Sequence, residues 1–186
     1  EDQGSRKLGA DGKITGYFDS TVCGYTEGTV ADPDVYAGKV ERWVRRALFI
    51  KPGYVVIQDQ IDATEGPARF DWLLHSVAGI ATDAGSQSFA LESGRASLRG
   101  RFIQPEGLQL EVKKGYPVEP VDGYSTRPLP PERYVDEWTL TATPGEQRKS
   151  ESFLAAMQVR HNEPGVRDAI LEPLEVTRGQ GVLMRE

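Results

Sequence analysis

The stretch Arg69 to Ile80, RFDWLLHSVAGI, sets an aspartate and one of only two histidines around a tryptophan and two leucines. A carboxylate beside an imidazole could act as a general-base pair or hold a metal ion. In a β-strand, however, residues four apart share a face at about 3.4 Å per residue, so Asp71 and His75 stand roughly 13 to 14 Å apart along it. They cannot hydrogen-bond within one regular strand, and His75 needs a partner from elsewhere. Three roles stay open for it: a core or rim histidine bonded to backbone, a residue of a substrate cleft, or a metal ligand.

Other chemistries lack their residues. With two histidines and a single cysteine, Cys23, a zinc site built from His and Cys alone would need all three and still miss a ligand. An internal disulfide is excluded, and Cys23 is expected to pack as a small hydrophobe. No phosphate-binding, nucleophile-elbow, dinucleotide-binding or calcium-loop pattern occurs, so no cofactor is expected and no metal ligands are assigned, while a carboxylate-rich calcium site stays open. Paired carboxylates for glycoside hydrolysis stay open, because 28 acidic residues offer many combinations and the sequence gives no separations.

The elements that position these residues read as all-β. Apolar residues recur with a period of two, and Gly, Pro and Asn/Asp punctuate at short intervals. We place strands near Ile14 to Phe18, Thr21 to Tyr25, Val40 to Ile50, Tyr54 to Ile61, Ala68 to Val77 and Ser88 to Glu92. Further strands fall near Ala96 to Phe102, Leu108 to Lys113, Tyr134 to Ala142, Ser150 to Arg160, Asp168 to Leu174 and Gly181 to Arg185. The expected fold is one antiparallel β-sandwich domain over residues 1–186, part of a supersandwich.

The clearest unit is VERWVRRALFIKPGYVVIQDQI, where KPG joins two β-rich runs as a hairpin. With Lys51, Pro52 and Gly53 as the loop, Ile50 faces Tyr54. One face then carries Trp43, Arg45, Ala47 and Phe49 opposite Ile61, Asp59, Ile57 and Val55, with Arg45 directly across from Asp59. A loop one residue longer would pair Arg46 with Asp59 instead. Such a pair is either a structural ion pair that fixes register or an arginine held for an anionic ligand.

Between Gly115 and Glu132, GYPVEPVDGYSTRPLPPE holds five prolines and two tyrosines and reads as a long surface excursion without strand. It either covers a sheet edge or binds, with Tyr116, Tyr124 and Arg127 able to stack on or hydrogen-bond to a sugar.

The chain of 186 residues is 38% hydrophobic and 27% charged, enough for a substantial core. Its formal charge of -6 and the lack of a Lys/Arg stripe argue against nucleic acid. No apolar run of membrane-spanning length occurs. The chain does not begin with Met, and its polar opening, EDQGSRKLGADG, reads as the start of a cut or processed chain.

The succession DPDVYAGKVERWVRRALFIKPGYVVIQDQI, followed by FDWLLHS, resembles the central to C-terminal β-domain of heparinase II/III-like polysaccharide lyases, a group that includes oligoalginate lyases. The resemblance runs from about Gly16 to Ser76. It implies an (α/α) toroid followed by a β-sandwich, with acidic polysaccharide in the cleft between them, in a periplasmic or secreted protein. The reaction it implies is β-elimination at a uronic acid, in which a base removes the C5 proton and an acid protonates the departing O4.

The family's catalytic His, Tyr and Asn lie mostly on the toroid, and its H-x-H-x-D, D-x-G-x-Y and A-H-N segments have no counterpart here. EDQG resembles the stretch shortly after A-H-N. No catalytic residue is therefore carried over, and this chain is expected to be inactive without the N-terminal toroid. Arg45, Arg46, Asp59, Trp72 and His75 fit the family's pattern as scaffold beneath the cleft. His75, Arg45, Arg46 and Tyr124 are the substrate-binding candidates. A carbohydrate-binding module and a purely structural sandwich are the competing readings.

Overall fold

The computed structural model describes residues 12–30, 36, 38–115, 121–122, 125–128, 137–162, 168–174, 176 and 181–185, the segment 121–128 by its backbone alone. The described residues form fifteen strands: β1 (Gly12–Asp19), β2 (Cys23–Val30), β3 (Val40–Ile50), β4 (Tyr54–Ala63), β5 (Trp72–Ser76), β6 (Ile80–Asp83), β7 (Ser88–Ser93) and β8 (Ala96–Gln104). They continue with β9 (Gln109–Lys114), β10 (Val121–Asp122), β11 (Ser125–Pro128), β12 (Trp138–Thr143), β13 (Ser150–His161), β14 (Ile170–Leu174) and β15 (Gly181–Arg185).

Eight strands form one antiparallel sheet in the order β1-β2-β3-β4-β13-β8-β7-β6, and β5-β12-β9 form a second of three. Side chains alternate between the faces of a strand, so the large sheet has two distinct surfaces. On one, Phe89, Phe102, Phe153, Ala155 and Met157 pack with Trp72, Leu140 and Ala142 of the small sheet in a single buried cluster. On the other, Ile103, Leu154 and Ala156 pack under Leu171, Val182 and Met184 of the β14-β15 hairpin. The all-β sandwich expected from the alternation is thus the architecture found.

The small sheet covers only part of its partner. At the β1-β2-β3 end, Ile14, Tyr17 and Phe18 are exposed, with Phe49 and Ile50 less so.

The β3-β4 register is the one the KPG loop dictates. Ile50 pairs with Tyr54, Arg45 with Asp59 and Trp43 with Ile61, up to a bulge between Val40 and Arg42. Gly53 is required there by contact: a Cβ would stand 2.5 Å from the Val159 carbonyl oxygen, whose own residue donates its N–H to the Gly53 carbonyl at 2.7 Å.

Four expectations need correction. β2 runs Cys23–Val30 rather than stopping at Tyr25, and Glu27 within it is matched across the sheet by Arg46. β5 begins only at Trp72, the earlier Ala68 making one isolated bridge to Arg148. β6 was not foreseen, since Ile80 is its one buried residue and gives no alternation. Within the proline-rich segment, β10 and β11 pair as a short hairpin, which the prolines concealed. Of the strand expected from Tyr134, the first residues lie outside those described, and β12 starts at Trp138.

Two carboxylates on this scaffold tie strands together and make stability depend on pH. Asp62 accepts a hydrogen bond from Arg42 Nε at 2.7 Å, and this bond, aided by one from Ser150, holds its carboxyl below the usual range. Glu27 is lowered first by the Thr15 hydroxyl and then by Arg46. A lowered folded-state pKa contributes stability that is present above the ordinary carboxylate value, about 4, and is lost as pH falls through the folded value. Urea unfolding should therefore show stability dropping as pH falls below about 5. Asp62→Asn should be less stable than wild type at neutral pH and lose less on acidification; parallel pH profiles for the two proteins would contradict this.

Candidate functional site

Asp59 is the chemical centre of the β3-β4 hairpin. It is fully buried, at 0% exposure, and both carboxylate oxygens are occupied. Trp43 Nε1 donates to Oδ1 at 2.9 Å and Arg45 Nε to the same oxygen at 2.7 Å. Arg45 Nη2 donates to Oδ2 at 2.9 Å and Trp72 Nε1 at 3.1 Å.

Trp43 and Arg45 reach it because they are two apart on β3 and share its inner face. Trp72 descends from the small sheet, so this carboxylate joins both layers. With its lone pairs filled by two indoles and a bidentate guanidinium, Asp59 cannot serve as a general base; it fixes register and anchors Arg45.

Arg45 itself is only partly covered, its side chain 47% exposed. Its guanidinium lies 5.6 Å from the centre of the Trp43 ring. The two border a cavity of about 300 Å³ together with Lys13, Ile14, Gly28 and Thr29. Gly28 pairs directly with Arg45, and its missing side chain opens that space. An arginine held by a buried carboxylate, with an indole beside it, can take an anionic group and a sugar ring together.

Arg46 points to the opposite face. Its Nε donates to Glu27 at 2.7 Å and its Nη1 to Gln60 at 2.8 Å and Gln58 at 3.2 Å. Glu27 also accepts from Thr15 at 2.8 Å and Tyr25 at 3.3 Å. The register excludes the alternative pairing of Arg46 with Asp59.

His75 lies on the outer side of the small sheet, its side chain 55% exposed. Its Nδ1 is 2.6 Å from Glu137 Oε1 and 3.2 Å from Thr139 Oγ1, the latter directly across from it on β12. It is thus a rim residue whose partners are side chains rather than backbone. Asp71 belongs to a separate network, accepting from Thr143 at 2.6 Å and Arg69 at 2.9 Å.

The three described candidates therefore occupy three different surfaces, and no two of them can address one ligand group. Tyr124, like Tyr116, lies outside the described residues. Cys23 is half-buried, its thiol 3.7 Å from the Ser20 hydroxyl. Among the described residues no group of three or more His, Cys, Asp or Glu side chains could hold a metal ion, and no helix is long and apolar enough to cross a membrane.

Sequence reasoning missed the Trp72 and Trp43 bonds to Asp59, and it missed Glu137. The Trp72 bond needs the packing of two sheets, and the Glu137 contact needs the β5-β12 pairing. It also passed over LRGRF in β8, whose i, i+2 arginines signal a shared face.

No protein-family model matches this sequence, and no curated protein matches it. Solved structures do match in fold. The heparan sulfate lyase HepC from Pedobacter heparinus superposes with a TM-score of 0.65 at 10% identity, over 94% of this chain and 28% of that one. Heparinase III, the BT4657 gene product, gives 0.63 at 11% identity over 95% and 28%. Another heparinase III structure gives 0.59 at 9% over 97% and 29%. The chain spans less than a third of the length of each. Nearly all of this chain thus has the β-sandwich fold found in heparinase III-like polysaccharide lyases.

Proposed function

We propose that this chain is the β-sandwich portion of a polysaccharide lyase that cleaves uronic-acid polysaccharides by β-elimination, and that it does not catalyse the reaction alone. The observation that carries the reading is the superposition of 94% of the chain on a heparan sulfate lyase at a TM-score of 0.65. The order of motifs from the β3-β4 hairpin to the LLHS strand supports it independently. Base and acid would come from a helical toroid on the same polypeptide, which works outside the cytoplasm on extracellular polysaccharide.

Within this reading the sandwich contributes one wall of the cleft. Arg45, backed by Asp59, offers its outer guanidinium nitrogen to a uronate carboxylate while the Trp43 ring lies under the sugar. Neutralising that carboxylate is what makes the adjacent C5 proton removable. His75 with Glu137 and Arg46 with Glu27 lie away from this wall and serve other contacts.

The test is the ultraviolet absorbance of 4,5-unsaturated uronate on incubation with alginate, heparin and heparan sulfate. The 186-residue chain should give no product, and the protein extended by its toroid should give product from one of the three. Sustained product from the chain alone would overturn its dependence on further chain. No product from the extended protein would overturn the lyase reading in favour of a carbohydrate-binding module.

A further inference from the structure

A second basic site lies on the face of the large sheet that carries the β14-β15 hairpin. In β8, LRGRF alternates so that Leu98, Gly100 and Phe102 face the core while Arg99 and Arg101 project together from the other side. Their neighbours on β7 are small: Arg99 pairs with Ala90 and Arg101 with Ser88. Small residues beside two arginines leave a hollow, and a cavity of about 450 Å³ lies there, walled by Asp168 to Leu171.

The cavity's lining carries two arginines, Arg99 and Arg101, and two aspartates, Asp83 and Asp168, with Arg160 as a third cation beside Asp168. Asp168 is shared, 2.9 Å from Arg99 and 2.5 Å from Arg160. Asp83 is engaged at the β6-β7 turn by the Gly85 N–H at 2.9 Å and the Ser86 hydroxyl at 2.7 Å. Arg101 has no carboxylate partner among the described residues. Its one bond is from Nη1 to the Leu171 carbonyl at 3.0 Å, and its Nε is buried without any partner. A partly buried guanidinium lacking a counter-anion is unfavourable unless a ligand supplies one, and its planar fork suits carboxylate or sulfate.

We propose that Arg101 and Arg99 form an anion subsite for a sulfate or carboxylate group carried on an acidic saccharide. The inference stands on the arginines; only the saccharide carrier is taken from the lyase reading. The site is distinct from the Arg45 wall, because Arg45 and Arg101 project from opposite faces of the sheet.

Calorimetric titration of the 186-residue chain tests it, using a heparin-derived tetrasaccharide, an alginate-derived tetrasaccharide that carries carboxylates only, and inorganic sulfate. At least one saccharide should bind, and Arg101→Gln should weaken it about tenfold or more, the range for losing a charged hydrogen bond. Because that variant also loses the Leu171 bond, Arg99→Gln is the second arm: it keeps that bond and should weaken binding in the same direction. Thermal midpoints separate lost binding from a loosened hairpin. Which saccharide binds decides between sulfate and carboxylate. No saccharide binding, or affinities unchanged in both variants, overturns the subsite; inorganic sulfate binding as tightly as either saccharide overturns the saccharide carrier. An absence of unsaturated product in the lyase assay would leave these titrations untouched.

Discussion

Asp59→Ala is expected to destabilise the chain by about 2–4 kcal/mol, from two indole donors that lose their acceptor at about 1–3 kcal/mol each, while the half-exposed Arg45 can turn to water. The loss is large because a single side chain satisfies four hydrogen bonds, from Trp43, Trp72 and twice from Arg45. Alanine would leave two indole N–H groups facing a cavity. Asp59→Asn should be nearly as damaging although it keeps the shape. Its amide NH2 would point a donor at donors, and Arg45 would lose its counter-charge. A second substitution, Arg45→Met in the Asp59→Leu background, should recover part of the loss, since buried ion pairs often tolerate apolar replacement. Urea denaturation followed by tryptophan fluorescence reads all of these. A loss below about 1 kcal/mol for Asp59→Ala would show that the pair has an ordinary surface role.

Gly100→Ala is expected to cost about 3 kcal/mol, at the upper end for overpacking a core. A Cβ on Gly100 would stand 2.2 Å from Cζ of Phe89, its partner across β7-β8, and 2.6 Å and 2.7 Å from the two Cε atoms. The ring cannot simply retreat. It is 2% exposed, with its centre 5.3 Å from that of Phe102 and 6.5 Å from that of Trp72. Trimming the obstacle should help: Phe89→Leu in the Gly100→Ala background should be more stable than Gly100→Ala alone. An unchanged denaturation midpoint for the single variant would mean that the aromatic cluster is looser than its geometry indicates.

The two cases differ in how far the sequence announced them. Arg45 opposite Asp59 was legible because a three-residue KPG loop fixes a hairpin register, and register fixes every cross-strand pair after it. The alternation that placed Trp43 beside Arg45 was equally local. What no local pattern could give was Trp72 arriving from the other sheet, or the Phe89 ring folded over Gly100, since both depend on which distant strands become neighbours.

His75 shows the same division. Asp71 has its own partners, Arg69 and Thr143, whereas those of His75, Thr139 on β12 and Glu137 just before it, follow from the pairing of β5 with β12, which has no sequence signature. β6 escaped because a four-residue strand with one buried side chain carries no period to detect. Of the proposed subsite, the LRGRF spacing was visible. That Ala90 and Ser88 would leave the two arginines room was not.

The strand order of the large sheet also governs when the protein can become whole. β13 is the last of the eight strands to be made, yet it sits between β4 and β8. As a chain grows from its N-terminus, β1 to β4 and β6 to β8 can assemble only as two separate half-sheets. The Val55-Val56-Ile57 edge of one stays open until Ser150–His161 is available to close it. Contacts so distant in sequence fold slowly and leave apolar edges exposed meanwhile. Completion of the large sheet is therefore a late, single event, and a chain ending before β13 would hold two half-sheets with no strand hydrogen-bonded between them.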